Sequence, residues 1–136
     1  MLSLSIAVAC TAPKNSQKMN QSQNPLAGTW APVQQELGGN KLPAAVYEHQ
    51  TMILKDSEYT VMAESADKGT VKYDGNKIDI YGKEGPNAGK HFNAIYKYDG
   101  ATLTICYNLK GDGYPEGFST VGKPLYFLSI FRRVPE

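Results

Sequence analysis

Phe92-Asn-Ala-Ile-Tyr-Lys-Tyr-Asp-Gly-Ala-Thr-Leu-Thr-Ile-Cys-Tyr107 is the stretch that decides the fold. With Asp99-Gly100 as a two-residue turn, Tyr98 faces Ala101, Tyr96 faces Leu103, Ala94 faces Ile105 and Phe92 faces Tyr107. His91, Asn93, Lys97, Thr102 and Thr104 fall on the other side. Directly opposed residues of a hairpin share a sheet face, so a clean split into one apolar and one polar face requires that both arms be strands. The same test succeeds twice upstream. With Asp74-Gly75 as the turn, Tyr73 faces Asn76, Val71 faces Ile78 and Gly69 faces Ile80, while Thr70, Lys72, Lys77 and Asp79 stay outside. With Asp56-Ser57 as the turn, Leu54 faces Tyr59 and Met52 faces Val61, and Lys55 meets Glu58 as an opposite-charge pair.

Strands through Gly28–Gln35 and Leu125–Arg133 bring the expected count to eight, in antiparallel up-and-down order, with Leu42–Glu48 as a short helix or turn between the first two. The simplest closure is an all-β barrel, which removes exposed edges and encloses side chains or one small ligand; a two-sheet sandwich is the alternative. Composition agrees, since nine tyrosines and thirteen glycines suit strands and turns and speak against an all-helical chain. The 136 residues allow one domain, expected over 25–136. Fourteen basic and thirteen acidic residues leave a net charge of +1, which gives no bulk attraction for nucleic acid.

The chain starts with an apolar segment, Met1–Cys10, too short to span a bilayer. Its end, Ala7-Val-Ala-Cys10, resembles the lipobox of bacterial lipoproteins, in which the signal is removed before a cysteine that becomes lipidated. That resemblance implies residues 1–10 as signal, Cys10 as the lipidation site and a cell-envelope location, with the membrane touched only through the anchor. A cleaved secretory signal or an ordinary strand is the plainer alternative. Residues 11–24 are polar and carry almost nothing to bury, as expected of a disordered tether.

Inward-facing Tyr59, Tyr73, Phe92, Tyr96, Tyr98 and Tyr107 either fill the barrel or wall an apolar pocket with phenol hydroxyls as polar anchors. Buried phenols need hydrogen-bond partners, which places Tyr96, Tyr98 and Tyr107 near a barrel mouth or a ligand. The long loops Glu84–Lys90 and Lys110–Gly117 are the expected rims, which adds Tyr114 to the pocket candidates. Gly85-Pro-Asn-Ala-Gly-Lys90 is not a phosphate loop: it is one residue short between its glycines and joins two strands. Cys106 falls on the polar face, and burial there requires cover from a loop such as Asn108–Phe118. His49 and His91 have no histidine or carboxylate at ligand spacing, so no metal or other cofactor is expected. No nucleophile, base and orienting group converge, so the sequence reads as a non-enzyme; the chain is expected to be a monomer.

Gly28-Thr-Trp30 at the head of the first strand, with Arg133 closing the last, resembles the lipocalin signature. There a tryptophan packs at the barrel base under a terminal-strand arginine, which gives Gly28, Trp30 and Arg133 structural roles. Leu26–Trp30, Glu36–Pro43, Glu84–Lys90, Ile95–Gly100, Leu103–Tyr107 and Pro115–Ser119 together resemble a lipocalin-like (calycin-type) domain family of bacteria, abundant in planctomycetes, over Leu26 to Arg133. The family carries a basic residue before the proline where this chain has Tyr114, which speaks against anion binding by that loop. The resemblance implies a fold and no catalytic residues. Two roles stay open: a barrel binding a small apolar or amphipathic ligand, and a protein-protein interaction or inhibitor module using the barrel exterior and loop tips.

Overall fold

The computed structural model describes residues 24–135, so the expected signal, Cys10 and nearly all of the tether lie outside the described residues. The strands are β1 (Gly28–Leu37), β2 (Asn40–Lys41), β3 (Thr51–Lys55), β4 (Glu58–Met62), β5 (Ala66–Asp74), β6 (Lys77–Glu84), β7 (His91–Tyr98), β8 (Thr102–Asn108) and β9 (Tyr126–Arg133). β1 and β3 to β9 pair in sequence order as an antiparallel sheet, and β9 returns to β1 to close an eight-stranded barrel. β2 only extends β1 as a two-residue ribbon. The short helix expected after β1 reduces to a 3-10 turn, Ala44–Val46. Its N-cap is Pro43, which offers no side-chain cap, and none of its three residues is buried.

All three hairpins form with the expected faces, but two registers need correction. The β3–β4 pairing is as read, with Lys55 opposite Glu58 and Leu54 opposite Tyr59. Between β5 and β6 the turn residues are Gly75-Asn76, so Tyr73 faces Ile78 and Val71 faces Ile80. Between β7 and β8, Tyr98 faces Leu103 and Tyr96 faces Ile105. Here the Asp99 carboxylate accepts the backbone N–H groups of Ala101 and Thr102 at 2.9 and 2.8 Å, which builds a longer loop than Asp-Gly alone. Both slips are two residues, one full side-chain period, so every inward residue still points inward.

One end of the barrel is plugged. Trp30 is 0% exposed, its indole N–H donates to Leu26 O at 2.9 Å, and Tyr98 meets it edge-on at 5.9 Å. The Arg133 guanidinium lies 4.3 Å over the Trp30 ring and donates to Ala27 O at 2.6 Å and Pro25 O at 2.8 Å, pinning the entering chain across the base. Gly28 stands against that guanidinium, where a Cβ would come within 2.5 Å of Nη1.

A second, smaller apolar cluster forms outside the barrel. Ile95, Cys106 and Leu128 point outward from β7, β8 and β9 and are covered by Tyr114 and Phe118. The loop is tied down by Asn108, which donates to Asp112 Oδ1 and Gly113 O at 2.8 Å each, and by Gly113 N, which donates to Asn93 Oδ1 at 3.0 Å. Cys106 is thus outward yet 0% exposed, as the loop-cover expectation requires. Burial, followed by the Glu36 charge, pushes its thiol up to about 11. In a Cys10→Ser chain, Ellman's reagent will therefore leave Cys106 untouched in the native state and titrate it fully in guanidinium; rapid native labelling would show that the loop does not stay docked.

Candidate functional site

The end of the barrel opposite Trp30 is hollow. A cavity of about 150 Å³ runs inward from the mouth, walled by aliphatic side chains such as Leu54, Ile80 and Ile105. Gly69 and Gly82 face each other across β5 and β6, both buried and pointing inward. A Cβ on Gly69 would lie 2.0 Å from Tyr81 O of the paired strand and 2.6 Å from the Tyr59 ring, and one on Gly82 would lie 1.9 Å from Asn87 O. The two bare positions therefore admit an aromatic ring and the β6–β7 loop into the mouth. There Tyr59 donates to Asp67 Oδ1 at 3.1 Å and Asn87 Nδ2 donates to Asp67 Oδ2 at 2.7 Å.

Among the pocket candidates from sequence, Tyr59, Tyr73, Phe92 and Tyr107 line this cavity. Tyr96 packs edge-on behind Tyr73 at 6.2 Å, and Tyr98 belongs to the plug. Tyr114 is corrected: it lies on the outer face, where its hydroxyl donates to Asp79 Oδ2. The rim expectation is halved accordingly, since Asn87 of the β6–β7 loop lines the mouth while Lys110–Gly117 lies along the barrel exterior. Residues not singled out from sequence are Asp67, Asn87, Leu109 and Phe127. Asp67 was legible in principle, because it shares the inward phase of Gly69, Val71 and Tyr73 on β5 and is the one charged residue in it.

On the outer face, His91 has a carboxylate partner that sequence spacing does not show. Its Nε2 is 2.8 Å from Asp79 Oδ1, and its ring stacks on Tyr81 at 4.5 Å. Burial acts to raise the Asp79 carboxyl, but hydrogen bonds from Tyr114 and contacts with His91 prevail and hold it below its ordinary value. No group of three or more His, Cys, Asp or Glu side chains could share a metal ion among the described residues.

The cavity phenols are held neutral. Burial, followed by the Asp67 charge, raises Tyr59, and burial first of all raises Tyr107. The Tyr73 hydroxyl is buried, with the Asn24 side chain beside it. Burial pushes it up to about 12, with the Asn24 side chain acting in the opposite direction. Because the native state holds these protons and that of Cys106 more tightly than the unfolded chain, their contribution to stability is complete below pH 9. Urea midpoints will fall as pH rises from 9 to 12; a flat profile would mean that these groups are hydrated in the native state.

Comparison with known protein families, curated proteins and solved structures found no match.

Proposed function

We propose that this chain is an envelope lipoprotein, held to a bacterial membrane through Cys10, whose lipocalin-like barrel binds a small apolar or amphipathic molecule in its hollow half. The observation that carries the reading is the apolar cavity of about 150 Å³ in the open half of the barrel. Apolar cavities of about that size hold a benzene-sized guest. A single ring or a short branched chain fits, whereas a long acyl chain does not. The Arg133–Trp30 stack at the base supports the lipocalin-like kinship. An interaction or inhibitor module would draw on the apolar outer face of β9, and there Leu128 lies under the protein's own Tyr114 and Phe118.

Unfolding measured with toluene as the probe tests the pocket. At a toluene concentration ten times its Kd, stability should rise by about 1.4 kcal/mol, the mass-action value for one site. Val61→Phe, which places a ring in the mouth, should fold and lose the rise. No stabilisation of the wild-type chain at any toluene concentration would overturn the reading. Mass spectrometry of the chain extracted from membranes tests the anchor separately, with an acyl mass expected at Cys10.

A further inference from the structure

We infer that the cavity is selective for cations: its ligand is a compact ring-bearing amine whose ammonium group pairs with Asp67 at the mouth. The inference rests on the pocket reading and adds the charge of the occupant.

Asp67 is the only charged side chain lining the cavity, and no Lys, Arg or His joins it among the described residues. Nor does Asp67 take part in an ion pair among the described residues. Its two hydrogen bonds come from neutral donors, the Tyr59 hydroxyl and the Asn87 amide, so they orient the carboxylate without neutralising it. A carboxylate offers about four acceptor sites, and the pair of bonds leaves room for a ligand N–H. Burial first of all raises Tyr59 and Tyr107, and the Asp67 charge acts in the same direction on both. A carboxylate ligand would meet the same repulsion in a site walled by hydrocarbon, while an ammonium would gain a charge-assisted hydrogen bond. Deeper in the cavity, Tyr73 and Phe92 add aromatic walls against which the ligand ring packs.

Benzylamine, benzyl alcohol and benzoate carry one ring and differ in charge, so isothermal titration of the full chain with each of them separates charge from shape. Benzylamine should bind at least about tenfold more tightly than benzoate, with benzyl alcohol between them, corresponding to a difference of about 1.4 kcal/mol. In Asp67→Asn the benzylamine and benzoate affinities should converge. The wild-type ranking decides by itself if that variant does not fold. Equal binding of all three, or benzoate binding best, would overturn the charge selectivity and leave the pocket standing. Binding of none of them, nor of toluene, would overturn both.

Discussion

Trp30→Ala will lower the unfolding free energy by about 3–5 kcal/mol, the usual cost of truncating a fully buried tryptophan. For a domain of this size that is a large part of a total stability of about 5–15 kcal/mol. The ring is 0% exposed and sits where three independent contacts converge: the Leu26 carbonyl, the edge of Tyr98 and the Arg133 guanidinium. Alanine removes the surface that Arg133 stacks on, which also loosens the Pro25–Ala27 segment that Arg133 holds across the base. Trp30 is the only tryptophan, so urea unfolding is best followed by circular dichroism, which reports both chains alike. A loss below about 1 kcal/mol would mean that the plug is not a packed core.

Gly82→Ala is expected to be nearly as costly, about 2–3 kcal/mol, by overpacking in place of truncation. Its new methyl would stand 1.9 Å from the Asn87 carbonyl oxygen, and because that atom belongs to the backbone, no rotamer change relieves the clash. The β6–β7 loop must move. Its attachments are the Gly82 N–H to Lys90 O bond at 2.9 Å, the Gly89 N–H to Gly82 O bond at 3.0 Å and the Asn87–Asp67 bond. The variant should therefore lose the Asn87 contact as well as stability, giving chemical-shift changes concentrated around Asp67 and Asn87 with the Trp30 end unmoved. Shifts spread evenly over the barrel would point to a strand slip instead.

Reading faces from the sequence worked because a strand's side-chain period is two, and the same period hid the register errors. Pairing Tyr98 with Ala101 or with Leu103 leaves Tyr96, Ala94 and Phe92 pointing the same way, so binary pattern alone does not separate the two. What separates them is turn chemistry, namely the Asp99 side chain capping Ala101 and Thr102. The misplaced Tyr114 has a different cause. Its partners Asp79, Ile95, Cys106 and Leu128 come from four strands, and they form an outer surface only once β6, β7, β8 and β9 lie side by side. No window of sequence contains that surface. The Asn87 rim of the mouth was equally out of reach, because it depends on Gly82 letting a loop approach Asp67, a contact between residues 67 and 87. The solid half was readable in part: Trp30 and Arg133, at opposite ends of the domain, stack at the barrel base.

The most direct test of the half-filled barrel is intermolecular nuclear Overhauser spectroscopy of the protein with toluene. Cross-peaks from toluene to Ile105, Phe92 and Tyr107, with none to Trp30, are the predicted result, since the first three line the cavity and Trp30 closes the far end. Cross-peaks confined to exposed apolar residues such as Val121 and Leu125, or none at saturating toluene, would contradict it.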